Sequence, residues 1–492
     1  MIFSDINFNK NEPIYIQIKN YIEDLILKGL IPNKSKLPST RELSQILGVS
    51  RNSVVLAYEE LKSQNIIYSV NGKGTFVNSS NLLSSKPWTF NWNDNLNFYA
   101  KTANEFDIIK TEIPWKKDII SFKSISPQGE LFDIDEFKKS FLSRLSLEGH
   151  KLLNYGYAQG YKPLIDYLID YMSSKGVDTS NKDILITNGF TEGFDIVLSS
   201  FTTKGDNIIC ENPTHNTAIK IMKSHDLNII GVDMDKDGIN LDMLNNKLNN
   251  FSNIKFAYTI PSYHNPTGIV SKPEKRFEFY NLMKKHNIAI IEDGFNEELL
   301  YTSSHLCPIV SLDSQGNGVI YIGSFSKILF PGIRIGWIFA DKKVIDILQS
   351  VKRCKNIHSS SLDQAILFDY LNSGAFNKYV KKIRKFYKDN YELAINCINK
   401  YIPSYSLEND GVLGEGGLHI FLKLKNIDAR YLLDECSKKN VIFMPGDIFY
   451  VDNTGANTLR LGFSRLTHEE IELGIKIIGD TIKELESKKL GE

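Results

Sequence analysis

SFSKILFPGIRIGW, Ser324 to Trp337, closes the apolar run VIYIG and opens a loop carrying a lysine, a Pro-Gly turn and an arginine. A short apolar run bounded by glycine reads as a buried strand. A lysine just past its end, Lys327, can condense with an aldehyde if its surroundings lower its pKa. Arg334, seven residues later, offers a permanent bidentate cation suited to a phosphate. Further apolar runs, DILITNG, NIIC, KFAYTI and IAIIEDG, alternate with helix-like stretches from about Asp118 onward. Continuous apolar strands between helices predict an α/β domain with a mainly parallel sheet covered on both faces. Such sheets bind ligands where their strands end. Asp293 ends IAIIED, a place where a carboxylate needs a cationic partner. Gly189, between DILITN and a helix, frees backbone N–H groups at a helix N-terminus for the same phosphate. Asn265, in PSYHNPTG, can donate a hydrogen bond, although a turn is the default role for N-P-T-G.

In this order N-P-T-G, I-I-E-D, S-F-S-K and P-G-I-R-I-G-W resemble the fold-type I aminotransferases over the whole C-terminal part, 118–488. The resemblance implies a large mainly parallel-sheet domain, a small C-terminal domain and pyridoxal 5'-phosphate (PLP) as cofactor. It makes Lys327 the catalytic residue that forms the internal aldimine, with Asp293 on the pyridine nitrogen. Asn265 would serve the phenolic oxygen, and Arg334, Ser324 and Gly189 the phosphate. Tyr155, in YGYAQGY, matches a tyrosine that reaches the phosphate held by a neighbouring subunit. Arg460, in LRLGFS, matches the arginine that grips a substrate's α-carboxylate. Three positions depart from the pattern. Phe295 stands where a tyrosine usually meets the phenolic oxygen, His215 where an aromatic usually stacks on the pyridine ring, and Phe190 where a small polar residue is frequent. Cofactor binding survives these changes; efficient transamination is what they count against.

The N-terminus carries a different pattern. Ile18, Tyr21, Ile22 and Leu25 recur at helical spacing. Ser39 with Glu42 has the form of a capping box opening a second helix. Gly48 turns the chain, and Ser50 can cap a third helix whose Val54, Tyr58 and Leu61 point inward. Arg51, Asn52 and Ser53 fall in its first turn, where a recognition helix meets base edges. Two short alternating runs flank Asn71-Gly72-Lys73-Gly74, which predicts a hairpin. PIYIQIKNYI, LPSTREL, LGVSRNSVVLAYEELKSQNII and GKGTFV together resemble the GntR-type winged helix-turn-helix over 11–78. The resemblance implies double-stranded operator DNA as a partner. Arg41 and Arg51 would contact phosphate or guanine, Ser39, Ser50, Asn52 and Ser53 would position the backbone, and Lys73 would reach from the wing. Eight Lys/Arg against six Asp/Glu between Glu12 and Val77 is a modest excess, so any DNA contact comes from a local patch.

Between these parts, 79–117 reads as a linker. Its aromatics Trp88, Phe90, Trp92, Phe98 and Tyr99 are too dense for a purely flexible tether and predict that part of it docks on a folded surface. Hydrophobic content of 42% with zero net charge excludes a disordered chain and any bulk attraction to nucleic acid. No apolar run is long enough to span a bilayer, and MIFSDINFNK lacks signal-peptide order, so no membrane and a cytoplasmic setting are expected. Five scattered cysteines without a C-x-x-C pair argue against both a disulfide framework and a metal site.

A GntR head on a fold-type I aminotransferase tail is the architecture of MocR/GabR-type regulators. Membership implies a homodimer whose tail senses PLP, an amine or an amino acid through an aldimine on Lys327. Two alternatives stand beside it: an active aminotransferase that carries a DNA-binding head, and a cofactor-free dimerisation scaffold, against which Asp293, Lys327 and Arg334 speak. No arginine occurs between Arg144 and Arg276, so a second arginine clamp is missing there, which disfavours a dicarboxylate effector.

Overall fold

Ile184 and Ile186 of DILITN fall on one face of a strand and Leu185 on the other, and all three are fully buried in two different hydrophobic clusters. That two-sided burial is the mark of a sheet covered on both faces. The computed structural model describes residues 3, 6–78, 90–111, 113, 116–294, 296–299, 301, 306–313, 315–414, 416–452 and 454–490. It resolves into two units, 1–95 and 96–492.

The first unit holds helices α1 (Ile14–Leu27), α2 (Thr40–Leu47) and α3 (Arg51–Ser63), then the hairpin β1 (Ile67–Val70) and β2 (Gly74–Val77). Ile18, Ile22, Leu43, Val54, Tyr58 and Leu61 form its core. The hairpin pairs Tyr68 with Phe76 and Ser69 with Thr75, and its turn uses φ of +75° at Gly72 and +118° at Gly74, which glycine adopts freely. Lys36 bridges Phe76, a third edge to the wing that the sequence pattern did not suggest.

In the second unit the strands run β3 (Ile120–Ser121), β4 (Lys182–Thr187), β5 (Asn207–Asn212), β6 (Asn228–Asp235), β7 (Gly238–Ile239), β8 (Ile254–Thr259), β9 (Ala289–Asp293), β10 (Val319–Ser324) and β11 (Gly336–Asp341). β12 (Leu407–Leu413), β13 (His419–Leu424), β14 (Val441–Ile442), β15 (Met444–Pro445) and β16 (Thr458–Gly462) follow. An eight-stranded sheet in the order β4-β11-β10-β9-β8-β5-β6-β7 is parallel from β10 through β6 and antiparallel at β11 and β7. This is the expected α/β layout. A smaller sheet, β12-β13-β16-β15, packs its own core, and β3 pairs with β14 beside it.

Of the linker aromatics, Trp88 lies outside the described residues and Trp92 is 75% exposed. Phe98 and Tyr99 open α4 (Phe98–Glu105), followed by α5 (Ile108–Thr111). After α6 (Ile134–Leu152), α7 (Lys162–Ser174) and α8 (Phe190–Phe201) comes α9 (Asn216–Ser224), and α4 lies against it. Tyr99 meets His225 edge-on at 5.8 Å, Lys223 sits 4.2 Å above the Phe106 ring, and Lys220 pairs with Asp107 at 3.5 Å. Part of the linker is thus seated on the second unit. Among the described residues no helix is long and apolar enough to cross a membrane.

Candidate functional site

Parallel strands deliver their carboxyl ends to one edge, and the chemically distinctive residues gather there. Asp293 ends β9 and Ser324 ends β10, with Asp293 in register with Ile322. Gly336 on β11 pairs with Thr187 on β4, and a Cβ at Gly336 would lie 2.8 Å from the Gly189 Cα. That close backbone approach places the Arg334 loop against the start of α8. Gly189, at φ +84°, caps α8 without any side-chain hydrogen bond, and a Cβ there would lie 2.8 Å from Arg334 Nη2. The first N–H groups of α8 and the guanidinium therefore flank one spot, a ready anion site. Arg334 has a left-handed backbone, φ +52°, uncommon outside glycine and frequent at ligand sites. Its Nη2 donates to Asn188 O at 2.9 Å and its Nη1 to Ser326 Oγ at 3.3 Å. Ser326 N donates in turn to Ser324 Oγ at 3.2 Å.

These groups open into a cleft of about 920 Å³ that also contains Phe190, His215, Asn265, Asp293, Lys327 and Arg460. Tyr155 is not among them: it stands 83% exposed on the surface of the chain. Asp293 is buried and accepts a 2.9 Å hydrogen bond from Tyr258 Oη. Burial, and then the carboxyls of Glu211, Glu297 and Glu292, push its pKa up to about 8 against the pull of Tyr258. Burial, followed by the positive Arg460, Arg465 and Arg334, brings the Lys327 amine down to about 8. Lys327 Nζ has a long 3.4 Å contact with Ser126 Oγ. His215 precedes α9 and is driven down to about 3 by burial, with Lys327 and Arg460 adding to the effect. It is a neutral ring at any working pH, 5.5 Å from the Phe190 ring.

Arg460, on β16, donates from Nη1 to Asn265 Oδ1 at 2.8 Å and from Nη2 to Lys123 O at 3.2 Å. Asn265 is fixed through its carbonyl oxygen, which leaves its Nδ2 to serve as the donor. Phe295 lies outside the described residues. The next residue, Asn296, is buried in the cleft wall, and neither its Oδ1 nor its Nδ2 has a hydrogen-bond partner among the described residues. Sequence reading passed over Asn296, Ser326, Lys123 and Tyr258. The doubled serine of S-F-S-K was a usable cue for Ser326; nothing local marks the other three.

The cradle suits PLP on these observations. Asp293 is a buried acid that awaits a cation, the α8 terminus and Arg334 await an anion, and the Asn296 amide awaits a polar partner.

In the first unit the capping box is present: Glu42 N donates to Ser39 Oγ at 3.2 Å and Ser39 N to Glu42 Oε2 at 2.8 Å. Ser53 N likewise donates to Ser50 Oγ at 3.2 Å. Both serine oxygens are occupied as caps, while their hydroxyl protons can still be donated. Arg41, Arg51, Asn52 and Lys73 are exposed, and Arg51 Nε reaches Thr40 Oγ1 at 3.5 Å.

Comparison with known proteins places both parts. The family "Aminotransferase class I and II" matches residues 119–478, and "Bacterial regulatory proteins, gntR family" matches residues 14–77. The chain is 32% identical over 381 residues to aromatic-amino-acid aminotransferase 1 of Thermococcus litoralis, covering 76% of this chain and 89% of the relative. It is 28% identical to the uncharacterized HTH-type transcriptional regulator YdfD of Bacillus subtilis, over 99% of this chain and all of the relative. The crystal structure of a multiple substrate aminotransferase from Thermococcus profundus superimposes with a TM-score of 0.76 at 28% identity, covering 81% of this chain and 100% of that one.

Proposed function

The chain belongs to the class I and II aminotransferases, a PLP-dependent family, joined here to a gntR-family head as in MocR-type regulators, and from that membership we propose that it is a DNA-binding transcription regulator that senses an amine, an amino acid or PLP itself through cofactor held at Lys327. The observation that carries this is the convergence of Lys327, Asp293, Arg334 and the α8 N-terminus in one cleft, on a chain that also has an ordered winged helix. A scaffold that had lost its cofactor would have no use for a buried acid with a pKa near 8.

When bound, PLP supplies an aldehyde that condenses with amines and a ring that withdraws electrons. The protein's share is binding and orientation. Asp293 would pair with the ring nitrogen and keep it protonated, with Tyr258 fixing the carboxylate. Arg334, Ser324, Ser326 and the first N–H groups of α8 bind the phosphate. Asn265 and Asn296 would supply amide donors for the phenolic oxygen, His215 would offer a neutral ring to stack on the cofactor, and Arg460 would receive a carboxylate. Lys327, with its pKa near 8, has about a tenth of its amine uncharged at pH 7, far more than an ordinary lysine. Leu142, Leu147, Leu153, Tyr155 and Tyr157, on and just after α6, are all more than half exposed. An apolar surface of this kind supports a homodimer in which Tyr155 serves the neighbouring cleft.

The same lysine also favours a second reading, an active aminotransferase with a DNA-binding head. One experiment separates the three. Purified protein should be yellow, and borohydride should fix the cofactor to Lys327, as read by mass spectrometry. Colourless protein after incubation with excess PLP would leave only the scaffold. Turnover of a common amino acid at about 1–1000 per second would promote the enzyme.

A further inference from the structure

Tyr155 and Tyr157 project from the loop YGYAQGY into solvent, yet the backbone that follows them is fastened at several points. Lys352 Nζ, itself buried, donates to Ala158 O at 2.9 Å, Ile186 N to Gln159 O at 2.8 Å, and Tyr161 N to Gln364 Oε1 at 2.7 Å. Ahead of these anchors the tie comes from His358. Gly156 N donates to His358 Nε2 at 3.1 Å, and the Tyr155 ring meets the imidazole edge-on at 5.9 Å. A backbone N–H can only donate, so Nε2 is the acceptor. The ring proton then sits on Nδ1, which donates to Ser359 O at 2.8 Å. Both ring nitrogens are thereby committed. The approach is close: a Cβ at Gly156 would fall 2.1 Å from Ser361 Oγ, which is why glycine stands there.

The residue before the histidine is held against its preference. Ile357 has φ +51° and ψ −65°, a rare backbone conformation for a β-branched side chain, and it is 58% exposed. Its own burial therefore does not account for the strain, which persists only where neighbours fix the backbone on both sides. On one side His358 is held by the tyrosine loop. On the other, Asn356 Nδ2 donates to Glu192 Oε1, and Glu192 lies in the first turn of α8. Glu192 also accepts from Asn188 N and, at 3.2 Å, from Asn188 Nδ2. Asn188 O is in turn the acceptor of Arg334. The turn that holds the tyrosine loop is thus built onto the phosphate cradle of its own chain.

We propose that His358 is a positioning residue for the cofactor: by holding Gly156 it presets the Tyr155 hydroxyl for the phosphate in the neighbouring subunit's cleft. This rests on the PLP and homodimer reading above. Gly156 is only half-buried, so water could satisfy its N–H, and solvation alone gives no reason for the histidine. A large exposed side chain on an untethered loop loses conformational freedom when it binds, and a fixed loop has lost it beforehand.

The test measures PLP affinity by absorbance titration of cofactor-free full-length protein. Tyr155→Phe, which removes only the hydroxyl, should weaken binding about tenfold or more, as loss of a hydrogen bond to a charged group does. His358→Ala should weaken it about 2–10-fold, and His358→Phe, which keeps a ring without an acceptor, should do the same. His358→Gln, whose Oε1 can accept from Gly156 N, should restore most of the affinity. The deciding variant combines Tyr155→Phe with His358→Ala, because no hydroxyl is left there to position. It should bind PLP as tightly as Tyr155→Phe alone, whereas a histidine that merely supports the fold would add its own loss. If His358→Ala does not fold, the same cycle runs with His358→Phe. Wild-type affinity in the Ala and Phe variants, additive losses in the double variant, or no recovery with glutamine overturns this proposal alone. Wild-type affinity in Tyr155→Phe overturns the neighbouring-subunit reading of Tyr155, and this proposal with it. Protein that stays colourless with PLP overturns the cofactor reading itself.

Discussion

Asp293 and Lys327 both have pKa values near 8, reached from opposite directions, because the same burial disfavours either charge. Their effects on stability therefore oppose each other. Without cofactor, Asp293 keeps its proton at neutral pH, so its contribution is fully present below about 4 and is lost as pH rises through about 8. Lys327 contributes fully above about 10.5 and loses that contribution as pH falls through about 8. Asp293→Asn isolates the first effect, since a neutral amide can still accept the Tyr258 hydrogen bond. In cofactor-free protein the melting temperature of the wild type should drop relative to Asp293→Asn between about pH 4 and pH 8. The same variant should weaken PLP binding by about 2–5 kcal/mol, the cost of leaving a buried charge unpaired. Equal cofactor affinity in the two proteins would show that Asp293 does not face the ring nitrogen. Lys327 and Asp293 stood out because charged residues at the ends of apolar runs are conspicuous, and Arg334 because it follows Lys327 on the same loop, whereas Arg460, in the middle of β16, was reached only through the family resemblance. Tyr258 was not, because its role comes from β8 lying beside β9, an adjacency set by the whole sheet. Asn296 was hidden for a related reason: its burial depends on walls built from distant segments.

At the scale of elements, the head was the most readable part. A capping box, a serine N-cap, a glycine turn and a hairpin are local chemistry, and each recurs in the structure where the residues put it. The third wing edge at Lys36 escaped notice because one bridge leaves no periodic trace. Helices α4 and α5 were equally silent because both are short, and α4 is held by packing on α9 rather than by its own propensity. Caps and base contacts on the head make distinct predictions. Ser39→Ala should lower the stability of the head by about 0.5–2 kcal/mol, since it removes a cap, and a thermal melt reads this directly. Arg51→Ala should cost about 1–3 kcal/mol of discrimination between operator and mutated operator if it pairs with a guanine edge. Lys73→Ala should weaken all sequences alike and reduce the slope of log K against log salt by about 0.9. Operator binding unchanged by both Arg51→Ala and Lys73→Ala would remove the wing and α3 from the interface.

For the whole molecule, the question is how a small ligand in one unit could alter DNA binding by another. A ligand shifts an equilibrium only through differential contact with its states. The linker is the segment placed to register such contact: α4 packs on α9, α9 begins directly after His215 in the cleft, and Ile108 and Ile113 form part of the cleft wall. Coupling of this kind is typically about 1–3 kcal/mol, or about 5–150-fold, and it is reciprocal. An amino acid that changes operator affinity by some factor must see its own affinity change by the same factor when operator is saturating. Two titrations of PLP-loaded full-length protein with an amino acid that it binds, with and without operator DNA, measure one side of this cycle. Two operator titrations, with and without that amino acid, measure the other. Arg460→Ala should abolish the response while the protein stays yellow, because carboxylate and cofactor phosphate rest on different cations. A closed cycle that shows no coupling, in protein that does bind the amino acid, would make the linker a passive tether and the amino acid a bystander to regulation. Coupling that survives Arg460→Ala would instead locate the sensed ligand away from Arg460.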